Sequence, residues 1–313
     1  MGASEAPLSL GIPSLLGRAF ETYRARFALF LLATAVVQLP TSLPVLLAGY
    51  GVSATLDSMR GTQLPAMQTG GEALEFLLQI GGGRLILFGF LLVAAAVLNV
   101  IGTVLSAGAL AYLLTGDAAG MAALGPAYRE VFRRLGPLFG AILLAGFIIC
   151  AVLALVGIIL VFLAAVQYML APTEEAPSEQ VQVAVWVVLF VLIFGGLGYA
   201  IFAIVRWALF VQAVVLENAG PATALRRSAA LLRHHWWRTA ALLTVLALGQ
   251  SILGSLASTV VGRAVGGPAD ETVASLAGGL ALTAVNLVYF PLAANALTLF
   301  YLALRAREKA GVR

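Results

Sequence analysis

Leu138–Val166 is a run of 29 residues without one charged side chain. At 1.5 Å rise per residue, such a run exceeds the ~20 apolar residues needed to cross the hydrocarbon core of a bilayer as a helix. Five further runs share its character: Ala28–Tyr50, Leu85–Thr115, Val181–Leu216, Thr239–Val261 and Val273–Leu304. In hydrocarbon each backbone N–H and C=O must find its partner inside the protein, so a crossing segment is a helix or part of a closed barrel. Runs this long and this evenly apolar fit helices. The expected fold class is all-α and integral to the membrane, with six transmembrane helices in a single domain over residues 1–313. Composition agrees, because 61% of the residues are hydrophobic and 10% are charged. A soluble domain carries about 25% charged residues to cover its surface. A water-soluble enzyme is therefore excluded, as is a disordered chain.

Charge then orients the spans. Seventeen arginines and a single lysine, Lys309, face 14 acidic residues, and the isoelectric point is near 9.5. The basic residues do not form one basic domain, so no nucleic-acid partner is expected. The N-terminal segment, the 116–137 and 217–238 connections and the C-terminal tail hold 14 of the 18. Positive loops stay in the cytoplasm, so both termini are expected there, in the cell (inner) membrane. The opposite connections are Gly51–Arg84 (with a short helical pattern at Glu72–Ile80), Ala171–Gln180 and Gly262–Glu271. They carry Arg60, Arg84 and Arg263 against a larger acidic set. No cleavable leader is expected, and the first apolar run inserts and stays.

A small device precedes each odd-numbered span. Gly11-Ile12-Pro13, Gly125-Pro126 and Gly220-Pro221 introduce segments in which apolar positions recur at steps of four, three and four. The sets are Leu16, Phe20, Tyr23, Phe27; Tyr128, Phe132, Leu135, Phe139; and Leu225, Ala229, Leu232, Trp236. That spacing is one stripe of a helix. Arg18, Arg24, Arg26, Arg129, Arg133, Arg134, Arg226, Arg227 and Arg233 fall between. Three interfacial amphipathic helices on the cytoplasmic side are expected, with aromatic residues toward the acyl boundary and arginines toward lipid headgroups. The chain then reads as three parallel repeat units of interfacial helix, span, span: 13–115, 126–216 and 221–308. Gly254, Ser258 and Gly262, four residues apart, and Gly195, Gly196 and Gly198 mark where spans approach closely.

Catalytic chemistry is scarce. The spans hold no central Asp or Glu, and there is no HExxH, G-x-S-x-G or Walker A pattern. His234 and His235 are adjacent and diverge on a helix, so they do not share an ion; with Trp236 and Trp237 they read as an aromatic anchor. Cys150 reads as a small apolar core residue. No catalytic residue, cofactor or metal is expected. Arg206, 11 residues before Glu217, is about 16 Å from it if the helix is continuous, which places it in the hydrocarbon or snorkelling beside Trp207. Gln38, Asn99, Gln250, Asn286 and Asn295 are uncharged polar residues of the spans. They bond each other across helices or, with Arg206, line an intramembrane polar site. Pro40, Pro44 and Pro291 point to kinked or broken spans.

The stretch RWALFVQAVVLENAGPATALRRSAALLRHHWWRTAALL from Arg206 to Leu243, with the opening GRAFETYRARFALFLLATAVVQLP, resembles a bacterial membrane domain. That domain occurs fused to glycerophosphoryl diester phosphodiesterases and also stands alone. The resemblance implies a six-span membrane protein. The hydrolase of that family is a separate soluble barrel with acidic metal ligands, which this chain lacks, so no catalytic residue carries over. The expected function is a non-enzymatic polytopic membrane module that binds lipid or a partner. The alternative is a transporter for a small or amphipathic solute. Membrane lipids are the expected partners, with a protein partner or a second copy of the chain left open.

Overall fold

The structure, a computed structural model, describes residues 11–60, 83–116, 120–170, 179–266 and 271–311. The Glu72–Ile80 pattern lies outside them. Among the described residues there is no strand. The helices are α1 (Ile12–Ala25), α2 (Phe27–Arg60), α3 (Gly83–Thr115), α4 (Leu124–Arg133), α5 (Leu135–Leu170), α6 (Glu179–Arg206), α7 (Phe210–Glu217), α8 (Pro221–Leu232), α9 (Trp236–Gly266) and α10 (Glu271–Lys309). Among the described residues six helical stretches are long and apolar enough to cross a membrane, the fourth counted across the short break between α6 and α7. Phe90, Phe147, Val161 and Trp186 are 71–72% exposed on them, a surface that only a hydrocarbon surround makes favourable. The chain is a multi-pass membrane protein.

Two compact units are distinguished: residues up to Arg133 with those from Leu242 onward, and Arg134–Ala241. In the first, α2 packs along α3 and against α10, and α1 lies on α10. Its core gathers Tyr23, Phe30, Leu110, Leu113 and Ala127. In the second, α5 packs on α6, α7 and α8.

The Gly-Pro devices start helices as expected. Gly11 and Gly220 are extended N-caps with a proline at the first or second helical position, where the absent N–H costs nothing. Leu124 opens α4, one residue before Gly125-Pro126, and Pro137 falls in the first turn of α5. The buried rows of the short helices share only Tyr23, Leu225 and Leu232 with the expected stripes. Leu15, Ala19 and Tyr23 are buried on α1, Ala127 and Val131 on α4, and Ala224, Leu225, Ser228 and Leu232 on α8. Phe20, Phe27, Phe132 and Phe139 instead stay 42–54% exposed. Small side chains turned inward let these helices sit close to the spans.

The spans break elsewhere than the prolines indicate. α2 runs unbroken through Pro40 and Pro44, and α10 through Pro291. The fourth span stops at Arg206 and restarts at Phe210. Ser228 closes that gap: its hydroxyl donates to the Arg206 carbonyl (3.0 Å) and accepts from the Leu209 N–H (3.2 Å). Freed backbone groups in an apolar setting need such a substitute partner.

The fifth and sixth spans meet through the small residues read from the sequence. A β-carbon on Gly254 would meet Leu282 at 2.6 Å, one on Gly262 the Ala274 carbonyl oxygen at 2.8 Å, and one on Gly278 the Ser258 carbonyl oxygen at 2.9 Å. Of the three fourth-span glycines, Gly196 lies against Val156 and Leu153, while Gly195 and Gly198 face open space. Cys150 is exposed on α5, so it faces outward rather than into a core.

Candidate functional site

The nine arginines of the short helices divide by what they touch. Arg26, in the joint between α1 and α2, donates from Nη1 to the Leu113 carbonyl at 3.1 Å. Arg134, in the joint between α4 and α5, donates from Nη1 to the carbonyls of Val214 and Val215 at 2.7 and 2.6 Å. Leu113, Val214 and Val215 lie in the last turns of α3 and α7, where carbonyls have no helical partner and the dipole favours a cation. Both guanidiniums are thus helix caps. Arg227 grips Glu217 with two hydrogen bonds of 2.9 and 3.3 Å, and Arg133 pairs with Glu130 at 2.9 Å on the surface. Arg18, Arg24, Arg129, Arg226 and Arg233 are exposed, and no described carboxylate pairs with them.

Two of those last five gather with Arg206. In the second unit, Arg206, Arg226, Arg233 and His234 line a cavity of about 820 Å³ together with Phe202, Leu232 and Trp236. The Arg206 guanidinium sits 5.7 Å from the Phe202 ring centre, a cation–π contact. Phe202 in turn stacks on Trp236 at 5.9 Å. The Trp236 indole N–H has no acceptor among the described residues. Among the described residues no carboxylate lines the cavity. On the other side of Arg206 and Arg226 an apolar cavity of about 330 Å³ is walled by Leu144, Ile148, Tyr199 and Leu225. Three guanidiniums beside an apolar cavity suit a phosphate or carboxylate that carries an apolar tail.

The continuous-helix reading of Arg206 therefore fails. Its helix ends at Arg206 itself, and the next begins at Phe210. Arg206 belongs to the second unit and the uncharged polar residues to the first.

There, Gln38, Asn99, Gln250 and Asn286 do converge, on a cleft of about 380 Å³. α2, α3, α9 and α10 each supply part of the wall. Gln38 Nε2 donates to Thr103 Oγ1 at 3.3 Å, and Gln250 Nε2 donates to Asn286 Oδ1. Asn295 is fully buried and not part of this wall, and its amide nitrogen and oxygen have no partner among the described residues. Ser42, Thr103, Thr283 and Tyr289 also line the cleft and were not singled out from sequence. A signal for them exists: each lies three or four residues from a cleft amide, hence on the same helical face.

Tyrosine hydroxyls anchor two short helices. Tyr23 donates to the Val288 carbonyl at 2.8 Å, next to Leu287, whose helical partner Pro291 cannot supply. Tyr128 donates to the Ala33 carbonyl. Burial pushes the Tyr128 hydroxyl up to about 12, with Ser106 acting in the opposite direction, and raises that of Tyr23. Among the described residues no group of three His, Cys, Asp or Glu is placed to hold a metal. No protein-family model matches the chain, and no curated protein or solved structure matches it either.

Proposed function

We propose that this chain is a non-enzymatic membrane protein whose second unit binds the headgroup of an anionic lipid. The observation that carries the reading is the carboxylate-free meeting of Arg206, Arg226 and Arg233 beside an apolar cavity. A diffuse basic surface attracts an anionic leaflet by about 1 kcal/mol per cation. Three guanidiniums around one cavity give a localised site, and the tail has a place to lie. The groove and both termini face the cytoplasm on this reading, where the positive-inside bias puts the arginine-rich segments. The paired caps, Arg26 on Leu113 and Arg134 on Val214 and Val215, support the parallel repeat. In each, the joint after a short helix holds the end of the second span that follows it.

Native mass spectrometry tests the lipid reading. Detergent-purified protein is mixed with phosphatidylglycerol or phosphatidylcholine, with and without excess inorganic phosphate. Retention of one phosphatidylglycerol, at least tenfold over phosphatidylcholine and reduced by Arg226→Gln with Arg233→Gln, supports it. Equal retention of both lipids overturns it. Displacement by phosphate alone would assign the groove to a free anion.

A further inference from the structure

We infer that the cleft of the first unit is a water-filled binding site for an uncharged, hydrogen-bonding solute. This stands apart from the lipid groove, with different residues and opposite electrostatics.

Amides in hydrocarbon usually bond one another across helices. Here the pairing is incomplete. Gln250 and Asn286 spend one donor and one acceptor on each other, and Gln38 spends one donor on Thr103. An amide carries two donors and two acceptor lone pairs, so each of these side chains keeps capacity in hand. The Asn99 side chain has no partner among the described residues, though its backbone carbonyl takes the Thr103 hydroxyl at 2.8 Å.

The hydroxyls of the wall are committed as donors. Thr283 donates to Gly279 at 3.0 Å and Tyr289 to Leu246 at 2.9 Å. They therefore face an occupant as acceptors only, and the remaining donors are amide N–H groups. An unmet amide in an apolar setting costs several kcal/mol. Water or a solute must therefore fill the space, and about 380 Å³ lies in the range of small-molecule sites, roughly 300–1,000 Å³.

The wall also sets the chemical class. Among the described residues no Asp, Glu, Arg, Lys or His lines it, so none of them offsets the desolvation of an ion. A neutral molecule with both donors and acceptors matches amides that offer both. Leu243, Leu246, Leu287 and Phe290 would cover its apolar part.

Alkylation of an introduced thiol tests this in a full-length Cys150→Ser background, reconstituted in nanodiscs. Asn99→Cys places the thiol in the cleft, Thr103→Cys is the second position, and Val97→Cys, 52% exposed on the same helix, is the lipid-facing control. The probes are iodoacetamide, neutral, and iodoacetate, an anion of similar size. At least one cleft position should react with iodoacetamide tenfold or more faster than Val97→Cys. Its preference for iodoacetamide over iodoacetate should exceed that of free cysteine by tenfold or more. Cleft thiols as unreactive as Val97→Cys would overturn the water-filled site. Rapid reaction with the free-cysteine preference would overturn the uncharged class. Should either variant fail to elute as a single species, the other carries the comparison.

Discussion

Arg134 and Val214, 80 residues apart in sequence, are joined by a 2.7 Å hydrogen bond from a guanidinium to a backbone carbonyl. With its second bond to Val215, this arginine closes the C-terminal turn of α7 and ties it to the start of α5. Arg26 does the same for α3 across 87 residues. Arginines that look equivalent in sequence thus serve as fasteners in one place and as open charge in another.

Charge-assisted hydrogen bonds are worth about 1.5–3 kcal/mol each, whereas an exposed ion pair contributes about 0–1 kcal/mol. Arg134→Leu should therefore lower the thermal unfolding midpoint of the detergent-solubilised protein by several degrees. Arg133→Leu, which loses only the surface contact with Glu130, should leave it nearly unchanged. Matching midpoints for the two variants would show that the cap carries no stability.

Gly278 has a backbone carbonyl of α9 2.9 Å from where its β-carbon would be, while Gly198 has nothing within 4 Å. Gly278→Val should destabilise the protein and lower the yield of monodisperse material. Gly198→Ala should be neutral or slightly stabilising, since alanine is the better helix former by about 1 kcal/mol. Thermal midpoints of the two proteins check this directly.

Tyr128 gives a pH signature. Its hydroxyl is held protonated up to about 12, above its ordinary value of 10, so the folded state binds that proton more tightly than the unfolded one. The stability from this site is fully present below pH 10 and is lost as pH rises from there toward 12. Tyr128→Phe should lower the midpoint at pH 8 through loss of the bond to Ala33, yet decline less between pH 10 and 11.5 than the parent. Parallel declines would remove Tyr128 as a source of the alkaline limb.

The six crossings were legible because hydrocarbon leaves so few options for a run such as Leu138–Val166. The break at Trp207–Leu209 was not, since neither proline nor glycine marks it. What permits it is Ser228, which lies 22 residues beyond Arg206 and bonds its carbonyl. Pro40, Pro44 and Pro291 do not stop their helices, so proline alone does not locate the break. The buried rows escaped a search for large apolar residues because Ala19, Ala127 and Ser228 are small. The polar residues were legible one by one, but periodicity is silent on which spans meet. Hence the cavity that gathers Arg206 with Arg226 and Arg233 was not legible from their positions in the sequence.

Fluorescence quenching of Trp236 tests the lipid groove most directly. Trp186, Trp207 and Trp237 are replaced by Phe, leaving Trp236 in the wall shared with Arg206, Arg226 and Arg233. Phosphatidylglycerol brominated along its chains should quench this tryptophan at several-fold lower mole fraction than brominated phosphatidylcholine, and the difference should vanish in Arg226→Gln with Arg233→Gln. Equal quenching by the two lipids in the otherwise unaltered protein would contradict an anionic-headgroup site.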